Sequence, residues 1–395
     1  MMVHPYFKLQ PTPSEIRTRI QSFGSWFEIN LDALTHNLSE IKRRTRAEVM
    51  PCIKNNGYGH GLIPVAAHLS DCGVKRFLVA KLGEAIAIRR KVGAGVINMD
   101  PVWTDEQCEI IAETQITQLI YTRETAEKLS KAAVKMGKPA GVFIKVDTGL
   151  RRVGVAYMEA PDLIELISKL PYVRIEGMMS TFQEDQNEDK LALDRFLSVG
   201  NELKTRGIDP GARSLTSTDS FENVGSHLDL IRPGAILFGF YPYQKQAVPP
   251  LDLRQALTWK ARIEYVKWVE KGDSVTYRSR FIAPKRMRLA TLHVGFYDGL
   301  PRELANKALI NVNGRYRRST GTVSLNHLLF DVTETDVKVG DAVEVISQSG
   351  ENTITRTAEA AGWVAYSLVN HLNPGTPRVY TRNGRAVAVL EPEFL

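Results

Sequence analysis

The stretch Ala47-Glu-Val-Met-Pro-Cys-Ile-Lys54-Asn-Asn-Gly-Tyr58-Gly-His60-Gly61 runs from apolar residues to a single lysine, then into a loop with glycines at alternating positions. A short apolar run bounded by turn residues reads as a buried strand, here delivering one amine to its exposed end. A lone lysine at a strand end usually only reaches for water. One desolvated at the mouth of a barrel has a lowered pKa and becomes a usable nucleophile toward an aldehyde.

Working outward, the same strand signal recurs. Apolar runs stand at 47–53, 76–82, 95–99, 116–122, 140–147, 174–182, 213–218 and 228–238, separated by helical periodicity at 84–91, 123–136, 160–169 and 190–206. Eight strands alternating with helices over this length predict an α/β fold, a closed (β/α)8 TIM-type barrel. The loaded residues cluster at the ends of these runs. Lys54 follows the first, Asp147 and Arg152 the fifth, Thr181 the sixth and Thr218 the seventh, and Arg232 lies in the eighth. Such ends converge on one barrel face, and phosphate sites in barrels use the loops after strands seven and eight, where Thr218, Gly234 and Ala235 stand.

Residues 1–24 read as a polar arm with a helical piece after Pro13. Trp26–Leu31 alternates as a strand, and Asp32 is expected to cap a helix carrying Leu34, Leu38 and Ile41. After Pro249 the runs become short (257–268, 274–282, 287–294, 308–312, 328–333, 342–348) and predict a mainly antiparallel β-domain with one helix at 357–370. The expected division is therefore an arm (1–24), a barrel (25–250) and a C-terminal β-domain (251–395), with strand 25–31 a candidate to join the latter. Val248-Pro249-Pro250 reads as the linker.

Composition narrows the function classes. The chain has 395 residues, room for two or three domains and a large core. Cys52, Cys72 and Cys108 are odd in number and scattered, which suggests neither a disulfide framework nor a metal cluster and fits a cytoplasmic protein. The net charge of +7 comes from basic residues interspersed with acids, so no nucleic-acid partner is expected. No stretch has the length of a membrane span or the pattern of a signal peptide. His4, His36, His68, His227, His293, His327 and His371 show no recognisable ligand spacing, so no metal site is expected; His60 is expected to order the lysine loop.

The lysine stretch resembles the lysine motif of the alanine racemase family, pyridoxal-phosphate enzymes built from a barrel and a β-domain. So do residues 25–40, 145–154 (Lys-Val-Asp-Thr-Gly-Leu-Arg-Arg-Val-Gly), 231–239 (Ile-Arg-Pro-Gly-Ala-Ile-Leu-Phe-Gly) and 294–299 (Val-Gly-Phe-Tyr-Asp-Gly), in the family's order, covering roughly residues 25–385. The resemblance implies pyridoxal 5'-phosphate as cofactor and racemisation of an amino acid by two bases. Lys54 would be one. Tyr277, in Asp273-Ser-Val-Thr-Tyr277-Arg-Ser-Arg-Phe281, would be the other, entering from the partner subunit of a homodimer with shared active sites.

It further implies that Tyr58, Thr218, Gly234 and Ala235 bind the cofactor phosphate. Arg152 would meet the cofactor's phenolic oxygen and the substrate carboxylate, and Lys145 matches a lysine carbamylated in several members to position that arginine. Arg232 would meet the pyridine nitrogen, where a permanent cation disfavours protonation; related decarboxylases place an acid there.

Four positions depart from the family's pattern. Thr181 stands where it has a histidine stacked on the cofactor, and Phe296 where it has a tyrosine. Ser324-Leu325-Asn326-His327 replaces a segment with an acid, leaving Leu325 and Asn326 at the substrate. Pro374 is matched to the family's phosphate and entrance tyrosine near the C-terminus. These changes predict a different or larger substrate than alanine. Alternatives are decarboxylation, epimerisation or other Cα chemistry on a modified amino acid, or a cofactor-binding protein without turnover.

Overall fold

A computed structural model describes residues 3–242 and 251–392. The linker expected at Val248-Pro249-Pro250 lies outside the described residues.

The barrel strands are Glu48–Val49, Arg76–Val79, Gly95–Asn98, Thr117–Ile120, Ala140–Asp147, Val173–Met179, Ala212–Ser217 and Leu230–Arg232, all parallel to their neighbours. The last pairs with the first, and a bridge between Cys52 and Leu78 closes the ring, with Ile53 N–H on the Leu78 carbonyl (3.0 Å) and Leu78 N–H on that of Pro51 (2.9 Å). Apolar residues predominate in the strands because helices cover the outer face while side chains fill the interior, with Asn98, Gln118, Lys145, Ser214 and Thr216 buried among them. Val142, Phe143, Ile144 and Val146 of the fifth strand are completely buried. Fully burying each such side chain contributes about 1.5–3 kcal/mol.

The helix Leu31–Arg43 buries Leu34, Leu38 and Ile41 as its 3.6-residue period requires. Its cap is Asn30 rather than Asp32: the Asn30 Oδ1 accepts from the N–H groups of Asp32 (2.9 Å) and Ala33 (3.2 Å).

The C-terminal sheet runs in the order Arg315–Arg318, Leu309–Val312, Ala342–Ile346, Leu257–Val269, Ser25–Asn30, Arg378–Arg382, Arg385–Leu390. Ser25–Asn30 pairs antiparallel with Leu257–Val269 and parallel with Arg378–Arg382, so this early strand is built into the β-domain sheet before the chain enters the barrel. The far half of Leu257–Val269 pairs with Met287–Leu292, which pairs with Leu328–Asp331.

Two expected elements differ. The helix at 357–370 is two helices, Ile354–Ala361 and Ala365–His371, because Gly362 takes a left-handed φ of 74° and ends the first. The strand at 274–282 is a small hairpin, Ser274–Val275 against Phe281–Ile282, interrupted by positive φ at Thr276, Arg278 and Ser279. No helix among the described residues is long and apolar enough to cross a membrane.

Candidate active site

Lys54 stands just past the first barrel strand, where the chain turns through four successive left-handed residues, Asn55, Asn56, Gly57 and Tyr58 (φ 51–62°). Asn and Gly tolerate that conformation, but a tyrosine there is strained, and such strain persists only where the surroundings over-determine it. Those surroundings are visible. Glu84 accepts from the Asn56 N–H (2.7 Å), and the Asn56 side chain accepts from Leu62 N–H (2.9 Å). His60 is fully buried, and its Nδ1 donates to the carbonyls of Tyr58 (2.9 Å) and Gly57 (3.2 Å), so it does order the loop.

The β-domain clamps the loop from the other side. Arg378, 1% exposed, donates through Nε to the Gly59 carbonyl (2.7 Å), and the Tyr380 hydroxyl donates to that of His60 (2.9 Å). A Cβ at Gly59 would meet the Val369 carbonyl oxygen at 2.3 Å, and one at Gly61 the Tyr380 hydroxyl at 1.9 Å. Gly59 and Gly61 thus serve close packing between the two domains.

Next to this loop, the ends of the seventh and eighth strands build a polar cradle. Thr218 Oγ1 accepts from the Gly234 N–H (2.8 Å), and Ala235 opens a short 3-10 turn. A Cβ at Gly234 would lie 2.8 Å from the Tyr58 hydroxyl, so a glycine keeps this space open. Tyr58 is held against Phe238 and Tyr366, each ring centroid 5.6 Å away. Burial, with the neighbouring Cys52 and Tyr366, pushes the Tyr58 phenol well above its ordinary pKa. Tyr366 is raised too, chiefly by burial, and its hydroxyl is hydrogen-bonded with Thr218. Both phenols are therefore donors at neutral pH.

Tyr366 escaped the sequence reading, which matched the family's late tyrosine to Pro374. That match is corrected by the geometry: Pro374 is exposed, with its carbonyl accepting from Arg378 (3.2 Å), while Tyr366 faces Tyr58 and Thr218. The signal was present, since a tyrosine four residues after the helix-breaking Gly362 begins a new apolar-faced helix.

Arg232 is buried, with Nη1 donating to Ser214 Oγ (2.6 Å) and Nη2 to the carbonyls of Ser180 (2.6 Å) and Leu215 (3.2 Å). Its Nε has no hydrogen-bond partner among the described residues. Burial lowers its pKa to about 10, so it stays a cation at neutral pH. Lys145, also buried, donates to Thr181 Oγ1 (2.7 Å). Burial, then the positive charges of Arg232 and Arg152, hold its ammonium well below the usual lysine range. Three basic groups therefore share one end of the barrel, with Asp147 nearby as a partial counterweight.

Tyr277, Phe296, Leu325 and Asn326 lie elsewhere, on the β-domain. Among the described residues none of their side chains has a hydrogen bond, ion pair or ring contact to the barrel. Tyr277 sits in the hairpin tip, 72% exposed, and its carbonyl accepts from Thr322 (3.1 Å). Phe296 N–H and Tyr297 N–H donate to the carbonyls of Ser324 and Leu325 (3.0 Å each), so these segments form one surface, on which Leu325 is 52% exposed.

A closed parallel barrel with a lysine loop, a hydroxyl-lined cradle and a buried arginine at one mouth, joined to an antiparallel β-domain, defines a two-domain barrel enzyme class. Residues 29–242 match the family model described as "Alanine racemase, N-terminal domain", and residues 256–380 the one described as "Alanine racemase, C-terminal domain". The chain is 33% identical over 366 residues to the alanine racemase of Halothermothrix orenii, covering 90% of this chain and 96% of that protein. It is 34% identical over 377 residues to that of Clostridium tetani, covering 92% and 97%. Among solved structures, alanine racemase of Clostridium difficile 630 superposes with a TM-score of 0.89 at 27% identity, covering 94% of this chain and 99% of that chain. The chain belongs to the alanine racemase family.

Proposed function

We propose that this protein is a pyridoxal-phosphate-dependent amino-acid racemase in which Lys54 and Tyr277 exchange the Cα proton from opposite faces. The observation that carries the reading is the conjunction, at one barrel mouth, of the Lys54 loop with the Tyr58, Thr218, Gly234 and Tyr366 cradle and with the unspent Nε of buried Arg232.

These residues fit the cofactor. The space kept open at Gly234, faced by two protonated phenols and a hydroxyl, suits a phosphate. The Arg232 Nε–H suits an unprotonated pyridine nitrogen, and Lys54 suits an aldehyde. When bound, pyridoxal phosphate supplies the electron sink that acidifies the substrate Cα–H. Arg232 would keep the ring nitrogen unprotonated, which limits that sink and restrains side reactions such as transamination.

In this reading the Lys54 amine would take the Cα proton from one face while the Tyr277 hydroxyl would give one to the other. The reverse reaction exchanges their roles. Arg152 would hold the substrate carboxylate, with Lys145 behind it.

Because Tyr277 is exposed and its side chain makes no hydrogen bond, ion pair or ring contact to its own barrel among the described residues, it would serve a partner's site. Tyr277, Phe296, Tyr297 and Leu325 are large side chains left exposed on the β-domain, of the kind that mark an interface, and they support a homodimer with shared sites. Three free cysteines, two of them buried, suit a cytoplasmic enzyme.

Alanine is the first substrate to expect from the relatives' names. A larger amino acid is the second reading, favoured by Phe296, which lies under the Arg302 guanidinium (5.1 Å) with no phenol to offer, and by the short Thr181 side chain occupied with Lys145. The test is an absorption spectrum of the purified protein, then chiral chromatography of an amino-acid panel. A cofactor band near the visible edge, lost in Lys54→Ala together with racemisation, is expected. A bound cofactor with no inversion of any amino acid would overturn the reading.

A further inference from the structure

Away from the barrel mouth, the β-domain assembles three potential ligands that lie far apart in sequence. Glu264 belongs to the strand Leu257–Val269, His293 follows Met287–Leu292, and His327 precedes Leu328–Asp331. The register explains their meeting. Ile263 pairs with Leu292, and Leu292 with Leu328, so the residues next to these positions stand side by side at one end of three antiparallel strands. Glu264 is itself the extra residue of a bulge, since the pairing passes from Ile263–Leu292 to Tyr265–Thr291. A bulge re-aims a side chain. Here it turns the carboxylate onto the two imidazoles.

Glu264 Oε2 lies 3.5 Å from His293 Nδ1 and 3.3 Å from His327 Nε2, and the three ligand atoms fall within 4.8 Å of one another. Two atoms each about 2.1 Å from one tetrahedral zinc ion sit about 3.4 Å apart, so the carboxylate already stands at ligand spacing from both rings. The imidazoles meet edge to face at 5.1 Å and can converge by ring rotation. A plain ion pair needs one imidazole, whereas a borderline divalent ion is matched by two imidazoles and a carboxylate.

From this arrangement we infer that Glu264, His293 and His327 form a binding site for a divalent cation of the zinc class, with water completing the coordination. The ion would pin the turn in which Ser324 N–H donates to the His327 carbonyl (3.0 Å) and which carries Leu325 and Asn326. It would also tie that turn to the strands beside Phe296. Any effect of the ion on turnover rests on the racemase reading above; binding itself does not.

The experiment uses the cofactor-loaded full chain, freed of metal with a chelator and titrated with zinc chloride. One zinc per chain is expected, with a Kd on the order of micromolar, weakened about tenfold or more in Glu264→Gln and in His293→Asn. Cobalt chloride should give visible absorption bands that both variants lose, and zinc should slow amide hydrogen exchange at residues 324–327 only in the unsubstituted protein. Both variants alter partly exposed side chains and keep basal racemisation. Zinc binding equal in all three proteins, or absent from the unsubstituted chain at millimolar zinc, overturns the inference. If turnover is absent while stoichiometric binding and its loss in the variants persist, the racemase reading fails and the metal site stands.

Discussion

Lys145 donates from Nζ to Thr181 Oγ1 at 2.7 Å inside a site that already holds the cations of Arg232 and Arg152. Burial comes first and the two guanidinium groups second in pushing the Lys145 ammonium well down, so this lysine gives up its proton more readily than an ordinary one. A neutral amine adds to carbon dioxide: the N–C bond forms, the nitrogen releases a proton to solvent, and the product is an anionic carbamate. That exchange would replace a like-charge neighbour of Arg152 with an attractive one. With 13C-bicarbonate, the protein should show a carbamate carbon resonance that Lys145→Ala lacks, and the variant should lose activity through a raised KM. Indistinguishable spectra would mean that Thr181 alone satisfies this lysine.

Tyr366 pairs with Tyr58 over the cradle and carries the hydrogen bond with Thr218. A hydrogen bond to a charged group contributes about 1.5–3 kcal/mol, so Tyr366→Phe should weaken pyridoxal phosphate binding by about 10- to 150-fold. The stacked ring is kept, so the fold should be too. Equilibrium dialysis or fluorescence titration of the cofactor checks this, and unchanged affinity would remove Tyr366 from the phosphate site.

What the sequence made legible follows from what is local in it. Most barrel strands carry a short apolar run because parallel strands are covered on both faces, and Lys54, Thr218, Gly234 and Arg232 lie at the ends of such runs or within them. Tyr366 lies in a stretch, 357–370, whose periodicity reads as one helix, whereas Gly362 splits it and resets the register of its faces. The hairpin around Tyr277 depends on left-handed residues, Thr276, Arg278 and Ser279, that no propensity favours. The clamp of Arg378 on Gly59 and the meeting of Glu264 with His293 and His327 depend on pairings between distant strands, which side-chain spacing along the chain does not encode.

The two most buried imidazoles give the fold an acid limit. Burial lowers His60 and His68 from 6.5 to about 4, the positive charges of Arg378 and Arg382 respectively adding to the effect. His68 accepts from Arg382 at Nδ1 (3.1 Å) and contacts Thr35 Oγ1 through Nε2 (2.9 Å), so a proton at Nδ1 would break the first contact. Below pH 6.5 the unfolded chain takes up protons that the folded chain refuses until about 4. The unfolded state therefore binds more protons in that window, and stability falls as pH falls. Each group should cost about 1.6 kcal/mol between pH 6.5 and 5. Denaturant midpoints at the two pH values should differ less for His68→Gln than for the unsubstituted protein, and equal differences would show that His68 is not a source of the acid loss.

Among the described residues the Tyr277 side chain makes no hydrogen bond, ion pair or ring contact to its own barrel, so the shared site proposed above is testable by mixing. On the proposed two-base, shared-site reading, Lys54→Ala and Tyr277→Phe proteins should each be inactive as racemases, since each would lack one base in both sites. If Tyr277 serves the partner's barrel, a heterodimer of the two variants has one site with both bases intact and one with neither. Equal mixtures that exchange subunits at random are half heterodimer, so activity should return to about one quarter of the unsubstituted level. If Tyr277 instead folded back onto its own chain, both sites of the heterodimer would stay defective and mixing would restore nothing. Subunit exchange, followed by a mass tag on one variant, tells failed exchange apart from failed complementation.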